Sequence, residues 1–158
     1  CRITGMPAGI GDPVFEKLDA NLAKAMMSIG AVKAVEIGDG ILAARHKGSE
    51  NNDGFRMCEG KVVKVTNHAG GILGGMSDGS TILVRAHVKP TPSIFQTQQT
   101  VDENGRELEL QIKGRHDPVI LPRAVVVMEA MAGLTILDAM MLNMSAKVDS
   151  LKDFYQTR

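Results

Sequence analysis

The chain is predicted to adopt an α+β fold, and three observations predict it. Two segments, near 13–29 and 122–142, carry helical apolar spacing or an unbroken apolar run. Several short segments rich in Val, Ile and Thr lie between them, and no regular strand–helix alternation of the kind that builds a parallel sheet connects them. The apolar helix sharpens the prediction. Its two acids, Glu129 and Asp138, are 9 residues apart and project in opposite directions at 100° per residue. An all-round apolar helix needs cover on every side, so a layered sandwich with this helix inside, or a subunit interface, is expected.

The elements follow in order. Asp12 is a good N-cap and Pro13 suits a first helical position; Phe15, Leu18, Leu22, Met26 and Ile29 then repeat at steps of 3, 4, 4 and 3. Gly30 is the expected stop. Residues 31–37 read as a strand. Residues 45–60 (RHKGSENNDGFRMCEG) are polar and suit an exposed excursion, a lid or insertion. A short strand is expected at 61–65, and five glycines follow within residues 67–79, where backbone must turn sharply or approach something closely. Residues 81–88 form the next strand, broken by Lys89, Pro90, Thr91, Pro92 and Ser93. Residues 96–101 and 106–112 flank Asn104-Gly105, a hairpin signal. A charged loop at 113–118 precedes the apolar helix, which Pro122 opens. The domain is expected to span 1–142, with 143–158 a tail.

Composition excludes several functions. The 158 residues include 18 Lys+Arg and 18 Asp+Glu, so no global basic field attracts a phosphate backbone, and four Phe with one Tyr build no base-stacking platform. Nucleic acid is not an expected partner. Two cysteines, Cys1 and Cys58, exclude a disulfide scaffold, which makes a reducing, cytoplasmic compartment the default. No charged and apolar leader follows Cys1, so no signal peptide is predicted. Residues 124–142 are long enough to raise the question of a membrane span, but Glu129 and Asp138 inside them favour a buried helix.

The short motifs are weak by themselves. Gly70 and Gly75 match the start of a phosphate-binding P-loop, but Met76 stands where its lysine belongs. Gly38, Gly40 and Ala43 fit a dinucleotide-binding turn, yet no docking helix follows. His46, His68, His87 and His116 with Cys58 have no metal-ligand spacing, so no metal site is predicted. Lys89, Thr91 and Ser93 place a cation and two hydroxyls at a rigid bend, which suits either one phosphate group or a plain strand terminator. Arg115, His116 and Asp117 crowd a guanidinium, an imidazole and a carboxylate into one loop.

Taken together, five segments resemble the carboxy-terminal part of chorismate synthases. They are GMPAGIGDPVFEKLDANLAKAMMSIGAVKAVEIGDG (5–40), GSENNDG (48–54), TNHAGGILGGMSDGS (66–80), VKPTPS (88–93) and IKGRHDPVILPRAVVVMEAM (112–131). The resemblance implies a sandwich of helices between antiparallel sheets, two similar halves and a homotetramer. It implies conversion of 5-enolpyruvylshikimate 3-phosphate to chorismate by 1,4-elimination of phosphate, with reduced FMN lending electron density transiently. It also carries an association with NADP, and whether the whole enzyme reduces its own flavin stays open.

By the same resemblance, Gly30, Ala31, Gly74, Lys89, Pro90, Thr91, Pro92, Ser93 and Arg115 contact FMN. Arg115 also faces the substrate's anionic groups, and Asp117 is the acid near flavin N5. The family's amino-terminal half, with its two catalytic histidines and several substrate-binding arginines, has no counterpart here, and none of the four histidines replaces them. The chain is therefore expected to be a fragment with little or no activity alone, and to self-associate. A non-catalytic FMN- or phospho-ligand-binding or assembly module is the competing reading.

Overall fold

The computed structural model describes residues 1–156. Its centre is a three-stranded antiparallel sheet, order β1-β7-β2, formed by β1 (Arg2–Ile3), β2 (Val32–Ile37) and β7 (Ile82–Val88). The register runs from Val32↔Val88 to Ile37↔Val84, and β1 extends it through Ile3↔Ile82. Helix α1 (Leu18–Met27) packs on this sheet and α3 (Leu121–Asn143) packs on α1. The α+β class read from the sequence therefore holds. The core lies where sheet and α1 meet: Leu18, Leu22, Met26 and Ile82 are fully buried, joined by Ile72, Val84 and Ile136.

Around this unit stand small two-stranded pieces. β3 (Phe55–Cys58) pairs with β4 (Lys61–Lys64), β5 (Ile72–Leu73) with β6 (Met76–Ser77), and β8 (Gln98–Val101) with β9 (Glu107–Leu110). The last pair is the hairpin that Asn104-Gly105 signals. A 3-10 helix (Gly40–Arg45) and a single turn, α2 (Gly48–Asn51), lead into the β3–β4 hairpin, so the polar stretch 45–60 has local structure of its own. In the carboxy-terminal stretch, α4 (Val148–Gln156) is exposed throughout; residues 157–158 of the expected tail lie outside the described residues.

Two expectations are corrected. First, α1 starts at Leu18, not at Pro13, and its N-cap is Lys17; Phe15 is 91% exposed. The Leu18 N–H donates to the Gly75 carbonyl at 2.8 Å. A tertiary partner thus takes one of the donors that a helix start leaves open, and residues 12–17 fold as turns against the glycine loop. At the other end Ser28 is the C-cap, and Ala31, not Gly30, takes the left-handed conformation, with φ 71°. Second, α3 is not covered on every side within this chain. Ala124, Ala132 and Ile136 form one buried stripe, whereas Val126 is 65%, Leu134 62% and Met141 62% exposed.

Candidate functional site

Strand β7 is the spine on which the predicted site residues hang. At its carboxyl end Val88 faces Val32, and the next residue, Lys89, donates its N–H to the Ala31 carbonyl at 2.8 Å. Gly30, Ala31 and Lys89 are thereby neighbours. A Cβ built on Gly30 would meet nothing within 4 Å, so backbone there is open to a close-approaching partner. After Lys89 the chain bends through Pro90–Ser93. The Thr91 hydroxyl oxygen is buried and has no hydrogen-bond partner. A buried hydroxyl without a partner is uncommon, and beside a lysine it has the donor chemistry a phosphate oxygen would use.

The charged loop joins this end of the molecule through Phe95. The Phe95 carbonyl accepts a bond from the Gln111 side-chain amide at 3.0 Å, and its ring meets His116 edge-on, centroids 5.6 Å apart. Arg115 is exposed. Asp117 is held by Arg123, with Nη1 2.8 Å from Oδ2 and Nη2 donating to Oδ1 at 3.3 Å. His116 Nε2, like Thr91 Oγ1, is buried without a partner. Phe95, two residues beyond Ser93, thus touches the loop that carries Arg115 and Asp117.

Gly74 belongs to the glycine-rich loop. It forms the turn between β5 and β6, with φ +60°, next to Gly75, whose carbonyl accepts the Leu18 N–H at the start of α1. A groove of about 640 Å³ between α1 and α3, lined by residues such as Asn21, Lys24, Thr135 and Asp138, touches none of the predicted site residues.

One constellation escaped sequence reading. Lys64, at the end of β4, reaches Asp53 at 3.4 Å and forms a close ion pair with Asp78; its side chain is 5% exposed. Asp53 Oδ1 also accepts from the Thr66 hydroxyl at 2.7 Å and the His68 N–H at 2.7 Å, and Oδ2 from the Ala69 N–H at 3.0 Å. Burial alone would raise the Asp53 carboxyl, but the Ala69, Thr66 and His68 donors and Lys64 outweigh it and hold it well below the usual range. Asp78 follows the same pattern: burial opposes ionisation, while Lys64 and Ser80 overcome it. This cluster pins the polar excursion to the glycine-rich loop. Its members lie 11 and 14 residues apart, and no short-range pattern marks them.

Comparison with known proteins decides the family. The family model described as chorismate synthase matches residues 1–141. The chain belongs to the chorismate synthase family. It is 63% identical over 156 residues to chorismate synthase of Agathobacter rectalis, covering 99% of this chain and 42% of that protein. To chorismate synthase of Methanosarcina barkeri it is 61% identical over 140 residues, covering 88% of this chain and 38% of that one. A solved structure described as the crystal structure of chorismate synthase aligns with a TM-score of 0.72 at 30% identity, covering 99% of this chain and 40% of that chain. The chain thus spans about two fifths of the length of the curated relatives it matches. The family match reaches residue 141 and so includes nearly all of α3. That helix is long and apolar enough to cross a membrane, but it is part of the family's folded domain.

Proposed function

We propose that the chain is the carboxy-terminal portion of a chorismate synthase and supplies part of its FMN site. The whole enzyme converts 5-enolpyruvylshikimate 3-phosphate to chorismate and phosphate, a carbon–oxygen lyase step toward aromatic amino acids, in the cytoplasm. The observation that carries the reading is the 63% identity along 99% of the chain, in which the five segments appear in order. When bound, reduced FMN supplies electron density to the substrate as phosphate leaves and takes it back, so no net redox change occurs.

The chain's residues take these roles. Lys89, Thr91 and Ser93 hold the flavin phosphate, with Pro90 and Pro92 fixing the bend. Fixed φ at the two prolines keeps the donors in place before the ligand arrives. Gly30 and Ala31 let backbone approach the cofactor, and Gly74 does the same from the turn between β5 and β6. Arg115, exposed and with no ion-pair partner among the described residues, offers its planar fork to FMN and to the substrate's anionic groups. Asp117 manages the proton near flavin N5, and Arg123 orients its carboxylate.

The exposed flank of α3 fits a fragment of a larger, homotetrameric enzyme: the missing cover is the rest of the protein and its neighbours. By itself the chain is expected to self-associate and to turn over little or no substrate. NADP belongs to the reading only as the source for a flavin reductase activity.

Flavin titration of the full-length protein tests the assignment. Lys89→Ala is expected to weaken FMN by about 10- to 100-fold, the worth of one charge-assisted bond, and to leave riboflavin nearly unchanged. Equal losses for both flavins would overturn the phosphate role of this loop.

A further inference from the structure

Three residues outside that reading, Asp39, His46 and His68, converge although 7 and 22 residues separate them in sequence. The convergence is built by backbone. Asp39 donates its N–H to the His68 carbonyl at 2.9 Å. Gly38 and Gly70 lie against each other so closely that a Cβ on Gly38 would run into the His68 carbonyl, and one on Gly70 into the Gly38 backbone. Both turns are tied to the same residue of β7: the Gly38 N–H donates to the Leu83 carbonyl at 3.0 Å, and the Leu83 N–H to the Gly70 carbonyl at 3.2 Å. Asp39 and His68 are therefore fixed side by side. The 3-10 helix then brings His46 back over them, its last turn closed by the His46 N–H on the Ala43 carbonyl at 3.2 Å.

The side chains complete the arrangement. His68 Nδ1 lies 2.6 Å and His46 Nδ1 3.8 Å from the same carboxylate oxygen, Asp39 Oδ2. The imidazole rings stand edge to face, 6.1 Å apart. One ligand atom from each residue falls within 4.8 Å of the other two. Donors that share one zinc at bond lengths of about 2.0–2.2 Å are separated by roughly 3–4 Å, so ring rotation and a shift of under about 1 Å close the site. Two neutral imidazoles and one carboxylate suit the nitrogen-preferring divalent transition metals and not magnesium or calcium, which take oxygen ligands.

We infer that Asp39, His46 and His68 form a binding site for one divalent transition-metal ion of the zinc type, with the fourth position left to water. Asp39 and His68 are the preformed part; His46 is the closing ligand. Metal at this point ties the 3-10 helix, the entrance to the polar excursion, to the glycine-rich loop, whose His68 and Ala69 amides already hold Asp53. The site stands independently of the flavin reading, because none of its ligands belongs to the residues assigned to FMN.

The test uses full-length protein stripped with a chelator, titrated with zinc in a calorimeter and with cobalt by visible absorption. One ion per chain is expected, with cobalt bands of a nitrogen–oxygen site. His46→Ala, at a residue whose side chain meets only Asp39 and His68 in the contacts given above, is expected to weaken zinc at least about tenfold without altering the far-ultraviolet circular dichroism. His68→Asn and Asp39→Asn are expected to do the same; if either fails to fold, His46→Ala carries the test alone. Absence of zinc uptake at millimolar ion, or binding that His46→Ala leaves unchanged, would overturn the inference.

Discussion

Replacing Asp53 with alanine removes the acceptor on which four donors converge. The His68 and Ala69 amides and the Thr66 hydroxyl lose their partner at 2.7, 3.0 and 2.7 Å, while Lys64 keeps Asp78. The cost therefore comes from stranded donors more than from a stranded charge. A buried donor left without a partner costs about 1–3 kcal/mol, and water entering the space left by the carboxylate recovers part of it. The Thr66 hydroxyl is exposed and turns to water, so two partly buried amides are stranded and the expected loss is about 3 kcal/mol.

Lys64→Met is the harsher change, because two buried carboxylates are left facing each other without their cation. Removing one partner of a buried pair costs about 3–5 kcal/mol. Urea unfolding of the full-length protein measures the global effect. Native-state hydrogen exchange reads the local one: at about 3 kcal/mol, the His68 and Ala69 amides should exchange roughly a hundredfold faster in Asp53→Ala. A loss below about 1 kcal/mol with both amides still protected would refute the reasoning, since the carboxylate would then not be what holds the excursion down.

Acid should loosen the same region. The Asp53 and Asp78 carboxyls are lower in the folded protein than the unfolded value of about 3.9. Their contribution is therefore complete above that value and is lost as pH falls through and below it. Unfolding midpoints recorded from pH 6 down to pH 3 should drop more steeply in the parent than in Asp53→Asn/Asp78→Asn; parallel curves would count against the cluster. Gly38→Ala should destabilise by more than about 2 kcal/mol, because its Cβ meets backbone that no rotamer can move aside and φ is +59°. Wild-type stability of that variant would mean the two turns are not packed as described.

The local elements were legible because each rests on neighbours in sequence. Apolar spacing placed Leu18, Leu22 and Met26 on one buried face; Asn104-Gly105 marked its hairpin; and the run 81–88 became β7 within a residue. Five ordered segments pointed to the family that the comparisons establish. The beginning of α1 was not legible, since its first donor is taken by Gly75 from 57 residues away and not by an adjacent cap. Nor was the fate of the apolar helix: composition says that α3 needs cover, but not that this chain supplies it along one stripe only.

The sequence by itself determined which segments turn, pair and coil, and which residues carry cationic, hydroxyl and carboxylate groups, because propensity and side-chain chemistry are properties of single positions and short windows. Tertiary structure alone decided who meets whom. It set Lys89 beside Ala31 and the glycine-rich loop against the start of α1, gathered Asp53, Lys64 and Asp78 into one buried cluster, and folded Asp39, His46 and His68 onto a common point. Those meetings depend on strand register and on close backbone contact at Gly38 and Gly70, where steric exclusion between distant parts of the chain selects the arrangement, and no local window of sequence contains both partners.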